Sequence, residues 1–301
     1  MVSIIIPTLN AEGYISTLIG KIRVQSIKTD EILIVDSSSE DNTRSIAESL
    51  GAKVITIDRR DFDHGITRNL GVKISSGDIV IFLTQDALPA NEHLIENLIK
   101  PLEREDIPLS YGRQIPRDDA NPLERFARAF NYPDRPLVKD GKLIHSIGIK
   151  TFFFSNVCSA IRKKEFEEAG GFPEKIIMNE DMILASKLIL KGYKAAYQPS
   201  AVVFHSHNYS ITEQFKRYFD IGVSLNRNRW IFKFAKPEGE GFRFVKEQIK
   251  YLLKGEKWCW IPYGPVEALA RYFGYRLGLA EDKIPDKLKI YLSIHKHFWV
   301  K

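Results

Sequence analysis

Hydrophobic and polar positions follow two rhythms along this chain. Val2–Ile6 is an unbroken β-branched run, the pattern of a strand covered on both faces. Pro7-Thr8-Leu9-Asn10 interrupts it, and Tyr14–Val24 then carries apolar residues at helical spacing. Glu31–Val35 predicts a second strand ending at Asp36, and the polar turn Ser37–Asn42 suits the cap of a helix running through Leu50. Lys53–Ile57 predicts a third strand, Arg68–Ile74 a helix stopped by Ser76-Gly77, and Ile79–Leu83 a fourth strand. Strands alternating with helices imply a parallel sheet with right-handed crossovers. Such sheets bind ligands beyond the carboxyl ends of their strands. Pro7–Asn10, Asp36–Ser38, Asp58–His64 and Thr84–Asp86 are therefore expected around one crevice.

The pattern loosens between residues 110 and 160. Thr151–Phe154 and Val157–Ile161 read as two short strands. Asn179-Glu180-Asp181 reads as a turn, Met182–Leu190 as a helix stopped by Gly192, and Ala201–Phe204 as a strand that delivers His205. From Glu213 onward the rhythm is helical and aromatic. The expected organisation is an α/β catalytic domain over 1–212 and a helical, basic and aromatic extension over 213–301.

Composition narrows the class. The chain has 301 residues, 44% hydrophobic and 27% charged, which suits a soluble globular protein. It lacks an apolar run of about eighteen residues, so no membrane span is expected. The opening Met1–Pro7 reads as a strand rather than a leader peptide. Cys158 and Cys259 form no disulfide framework, and a reducing cytoplasm is the expected setting. Charge is uneven. Residues 213–301 hold 18 Lys and Arg against 10 Asp and Glu, a balance of +8, while residues 1–212 stand at −2. The excess reads as a solvated helical face, or as attraction to anionic lipid or to a diphosphate-linked acceptor. No nucleic-acid-binding motif accompanies it.

The candidate chemistry lies in three places. Glu180-Asp181 opens a predicted helix, where one acid is enough for a cap and the other is spare. His205 and His207 flank one serine after a strand, so their side chains point the same way. Asp86 follows the fourth strand and is either a turn residue or a ligand. Asp36 is either a cap or an acceptor for a pyrimidine imide. A carboxylate and imidazoles suit a divalent cation, Mg²⁺ or Mn²⁺, and a separate carboxylate can serve as base. The first loop lacks the Gly-x-Gly-x-x-Gly turn of nicotinamide-binding enzymes. A non-catalytic sugar-nucleotide-binding module is the other alternative.

Together these segments resemble the inverting family 2 glycosyltransferases of GT-A fold, over about residues 1–212. Ser3–Asn10 is similar to the family's opening strand and nucleotide loop, and Ile34–Thr43 to its second loop, whose first acid, here Asp36, contacts the base. Arg68-Asn69-Leu70-Gly71 resembles a helix start near the phosphates, and Thr84-Gln85-Asp86 stands where the family carries Asp-x-Asp. Gly170-Gly171-Phe172 with Glu180-Asp181 resembles the acceptor-side motif that supplies the base. The departure is Thr84, which leaves the ribose contact to Thr84 or Gln85. Asp61–Asn69 together with Thr84–Ala87 is similar to rhamnosyltransferases using dTDP-L-rhamnose. The resemblance implies nucleotide contacts from Pro7, Thr8, Asn10, Asp36, Ser38, Asp63, His64, Arg68 and Gln85. It further implies Asp181 or Glu180 as base, and Asp86, His205 and His207 at the metal. The acceptor would be a glycan or lipid-linked glycan of a cell-surface polysaccharide, made at the inner face of the membrane.

Overall fold

The computed structural model describes residues 1–235 and 240–300. Strands β1 (Val2–Thr8), β2 (Glu31–Asp36), β3 (Lys53–Thr56) and β4 (Ile79–Leu83) alternate with helices α1 (Glu12–Arg23), α2 (Thr43–Ser49) and α3 (His64–Ile74). They line up in the order β3-β2-β1-β4 with every neighbouring pair parallel. The middle of the chain adds β5 (Leu88–Pro89), α4 (Leu94–Ile99), β6 (Leu109–Ile115), α5 (Pro122–Asn131), β7 (Leu137–Lys139) and α6 (Ile144–Ile147). β8 (Cys158–Arg162), α7 (Lys163–Glu168), α8 (Glu180–Leu190) and β9 (Ala195–Phe204) follow. β8 lies antiparallel between β4 and β6, so the sheet becomes mixed beyond its parallel half.

The β-branched runs pack on both sides, which is why they do not alternate with polar residues. Ile4, Ile6, Ile34, Ile81 and Leu83 meet Ile15, Leu18, Ile19 and Ile22 of α1. Ile5, Leu33, Val35 and Phe82 face the other way, onto Phe166, Phe172 and α8.

Two expectations need correction. Thr151–Phe154 is not a strand: Gly148–Phe152 forms a 3₁₀ turn. A strand would send Phe153 away from its neighbours, whereas Phe152, Phe153 and Phe154 all meet one core. β9 begins at Ala195 rather than Ala201, with a register shift opposite Gly112 and Arg113. Pro199 and the polar residues beside it hid its first half.

The C-terminal helices are α9 (Ile211–Arg227), α10 (Glu240–Lys254), α11 (Tyr263–Gly278) and α12 (Asp286–Leu292). The expected division at residue 212 falls in the first turn of α9. That helix starts in a reciprocal cap, with Ser210 and Glu213 each bonding the other's backbone N–H. It is anchored to the catalytic half: Ser224 Oγ donates to the Met178 carbonyl at 2.6 Å, and Phe219 and Val223 pack on Ile177. α11 approaches α9 through glycines. A Cβ on Gly274 would stand 2.2 Å from the Phe215 carbonyl oxygen, and one on Gly278 would stand 2.1 Å from that of Phe219. Alanine at a helical glycine ordinarily adds up to about 1 kcal/mol of stability. Here Gly278→Ala should instead lower the melting temperature, because overpacking costs about 1–3 kcal/mol. Thermal unfolding would check this, and a raised melting temperature would mean that the helices do not touch so closely.

Candidate active site

The loops after β1, β2 and β4 meet as the alternating pattern predicts. Asp36 closes β2 with a fully buried carboxylate. It accepts from Thr8 Oγ1 at 2.9 Å, from Ser39 N–H at 2.9 Å and from Ser39 Oγ at 2.5 Å. Asn10 and Ser38 both hold left-handed backbone, with φ of 49° and 57°. Ser38 Oγ donates to the Ile57 carbonyl, and Asn10 Oδ1 accepts from the Glu40 N–H. Pro7 precedes Thr8 in β1 and pairs in register with Val35. Gln85 brackets the first loop: its Oε1 accepts from Leu9 N–H at 2.8 Å while its Nε2 donates to Leu9 O. Ser37 Oγ and Thr84 Oγ1 are buried hydroxyls without a hydrogen-bond partner among the described residues.

Asp86, His205 and His207 converge from β4 and β9. Asp86 Oδ2 lies 3.5 Å from His205 Nε2 and 3.3 Å from His207 Nε2, and the two Nε2 atoms are 3.1 Å apart. Both histidines thus reach one carboxylate oxygen, as their period-two spacing predicts. His205 Nδ1 stands 3.0 Å from Gln114 Oε1. That oxygen only accepts, which assigns the proton to Nδ1 and leaves the Nε2 lone pair facing Asp86. Burial, and then the Arg128 guanidinium, hold His205 well below the usual imidazole range. Burial also lowers His207, with Asp86 opposing. Neutral imidazoles beside a carboxylate are a donor set that fits a divalent cation. Arg117 steadies the acid by donating from Nη2 to the Asp86 carbonyl at 2.5 Å.

The acidic pair opens α8. Asn179, at φ 65°, turns the chain into the helix but makes no side-chain cap. Glu180 is buried, with Oε1 3.1 Å from Asn156 Nδ2 and 3.4 Å from Arg68 Nη1. Asp181 Oδ2 accepts from Asn156 N–H at 3.0 Å, and its Oδ1 accepts from Met182 N–H at 2.7 Å. Burial first, and the adjacent Glu180 second, push the Asp181 carboxyl up to about 7. Of the two acids, Glu180 carries the cationic partner and Asp181 opens to a cavity. That cavity, of about 190 Å³, is shared with His205, His207, Tyr209, Arg128 and Arg217.

The α3 residues occupy a different place. Asp63 caps α3, accepting from Gly65 and Ile66 N–H, and its other oxygen accepts from Ile176 N–H. Arg68 donates to the His64 carbonyl at 2.9 Å and is buried beneath Glu180. The His64 ring stacks edge-on against Phe62 and His295, and burial lowers it to about 3. Through Arg68 these contacts brace Glu180, and Asp63, His64 and Arg68 are not among the residues that line the cavity. Sequence reasoning missed Gln114, Asn156 and Arg217. Arg217 lies over the Tyr209 ring at 5.8 Å and makes no ion pair among the described residues. The polar periodicity of α9 was the only signal that could have drawn attention to it.

The family description Glycosyl transferase family 2 matches residues 3–170. Over 301 residues the chain is 44% identical to the O-antigen chain rhamnosyltransferase RfbN of Salmonella typhimurium, covering 99% of this chain and 96% of that one. The chain belongs to glycosyltransferase family 2. It is also 40% identical to the O-antigen chain rhamnosyltransferase WbaN of Salmonella anatum, over 99% of this chain and 95% of that one. Among solved structures it resembles a mannosyltransferase of Pyrobaculum calidifontis in complex with GDP-Man and Mn²⁺. The TM-score is 0.65 at 18% identity, covering 95% of this chain and 87% of that one, a likeness of GT-A fold. This family 2 glycosyltransferase is therefore rhamnosyltransferase-like along its whole length, including the helices beyond residue 212.

Proposed function

We propose that this enzyme transfers L-rhamnose from dTDP-L-rhamnose to a glycan or lipid-linked glycan, with inversion. The observation that carries the reading is one cavity lined by Asp181 on one side and by His205 and His207, joined to Asp86, on the other. It occurs in a chain 44% identical to an O-antigen chain rhamnosyltransferase.

Asp181 takes the proton of the acceptor hydroxyl as its oxygen attacks the anomeric carbon. The bond from that carbon to the diphosphate oxygen breaks on the opposite face, so the configuration inverts. A carboxyl near 7 is poised for this at neutral pH, since it is partly ionised yet basic enough to hold the proton. Asp86, His205 and His207 would hold a divalent cation, which supplies positive charge against the diphosphate as the sugar leaves. With two nitrogen donors in the set, Mn²⁺ suits it better than Mg²⁺. Arg217, half-buried and without an acidic partner among the described residues, adds fixed charge to the same cavity. Asp36 accepts the pyrimidine N3–H, braced by Thr8 and Ser39. Ser37 and Thr84 offer their unpartnered hydroxyls to the nucleoside, Thr84 taking the place of the family's first acid. Asp63, His64 and Arg68 act by holding Glu180 and the start of α8 in place.

Product analysis with a panel of dTDP-, UDP- and GDP-sugars tests the donor. Thymidine and uridine share the N3–H that Asp36 can accept, whereas guanine presents a different edge. Asp36→Ala should weaken dTDP binding by about 1–3 kcal/mol in calorimetry, the cost of losing a hydrogen bond to a charged group. A clear preference for GDP would refute the assignment.

A further inference from the structure

α11 is built inside out. Its inward face is glycine and charge: Gly274 and Gly278 touch the α9 backbone, and Gly264 packs on the buried Gln248. Glu267 and Arg271 form a 2.8 Å ion pair beneath the surface. Arg271 lies over the Tyr218 and Phe244 rings. The outward face is apolar. Val266, Leu269, Phe273 and Leu277 recur at spacings of three and four and so share one stripe. Leu269 is 55% exposed and Phe273 57%. Tyr272 and Tyr263 flank the stripe, and Trp258, just before the helix, is 62% exposed. A surface helix in water ordinarily shows the reverse polarity, and a contiguous apolar patch of this kind marks an interaction surface.

Charge identifies the occupant. The segment carrying this stripe holds the whole positive excess of the chain, +8 over residues 213–301. Lys254 and Lys257 lead into Trp258, and Arg276 lies on the outward side of α11; all three are exposed. A second copy would bring the same positive charge against itself. An anionic bilayer offers acyl chains to the stripe, headgroup depth to the tyrosines and tryptophan, and negative charge to the rim. No described helix is long and apolar enough to cross a membrane, so contact is confined to one face.

We infer that the outward face of α11 lies in the headgroup region of an anionic membrane. α9 separates it from the site: Arg217 reaches the cavity, while Phe215 and Phe219 meet the glycines of α11. The site then lies across α9 from the membrane-bound helix. This rests on the reading of a lipid-linked acceptor and makes that acceptor class the natural one.

The test is sedimentation of the full chain with vesicles of phosphatidylcholine, with and without phosphatidylglycerol. Binding is expected only with the anionic lipid, weakening as salt rises. The double change Leu269→Glu with Phe273→Glu should lower vesicle affinity about tenfold or more. Lys254→Glu with Lys257→Glu should weaken binding to anionic vesicles through a change at two exposed side chains. Both variants should keep wild-type transfer to a water-soluble acceptor, which shows them folded. Wild-type vesicle binding by both variants, or equal recovery in the supernatant with both lipids, would overturn the inference. So would a wild-type dimer that Leu269→Glu with Phe273→Glu splits, since the stripe would then bind a second copy. Loss of transfer by the wild type with every acceptor would instead count against the proposed function and leave the vesicle result standing.

Discussion

Asp181→Asn is expected to lower sugar transfer by about 10²–10⁴-fold while donor binding stays near wild type. The amide keeps the shape of the carboxyl but cannot take a proton. Asp181 is the acid to test because Glu180 is held by Arg68 and Asn156, whereas among the described residues the Asp181 carboxylate accepts from backbone N–H groups and lines the cavity. Its carboxyl is pushed up to about 7, chiefly by burial. The base must be ionised, so wild-type transfer should fall as pH drops below about 7. Stability moves the opposite way. A carboxyl raised above its unfolded value favours the folded state when protonated, and that contribution fades as pH rises through 7. The melting temperature of Asp181→Asn, relative to wild type, should therefore climb between pH 4 and pH 8. Near-wild-type turnover in this variant would pass the role of base to another group, with Glu180 the first to test.

Much of this arrangement was legible before the fold was known, and the reason is geometric. Continuous β-branched runs suit strands covered on both faces, so β1, β2 and β4 and their carboxyl-end loops could be placed from periodicity, and β3, at the sheet edge, from its place in the strand–helix alternation. Period-two spacing put His205 and His207 on one side, and both do reach Asp86. What stayed hidden depends on pairing rather than period. Gln114 matters because β6 runs beside β9, a neighbourhood set by sheet order that leaves no local trace. Asp63, His64 and Arg68 look like crevice residues by motif. Their contacts lie with Ile176, His295 and Glu180, far along the chain. The basic excess of residues 213–301 was visible as a count, but the inverted polarity of α11 was not. Its apolar residues have ordinary helical spacing, and only the glycine contacts with α9 tell which side faces inward.

Removal of divalent cations with excess chelator should abolish transfer, and Mn²⁺ should restore it more fully than Mg²⁺. Asp86→Ala should lose activity at least about 10²-fold, because its Oδ2 is the one oxygen that both histidines reach. The histidines should differ in degree. The His205 side chain is 8% exposed and fixed through Nδ1 by Gln114, whereas that of His207 is 39% exposed. Losing His205 removes an oriented donor, so His205→Ala should be the more damaging of the two. Gln114→Leu separates orientation from ligation. With no acceptor at Nδ1 the ring loses its tautomer preference, and the Mn²⁺ concentration for half-maximal activity should rise about 10–100-fold. Turnover at saturating Mn²⁺ should largely recover in Gln114→Leu but not in Asp86→Ala. Titrating Mn²⁺ against initial rates for wild type, Asp86→Ala, His205→Ala, His207→Ala and Gln114→Leu measures all of this. Full wild-type activity in excess chelator would remove the cation from the reaction and leave Arg217 and Arg117 as the charges facing the leaving diphosphate.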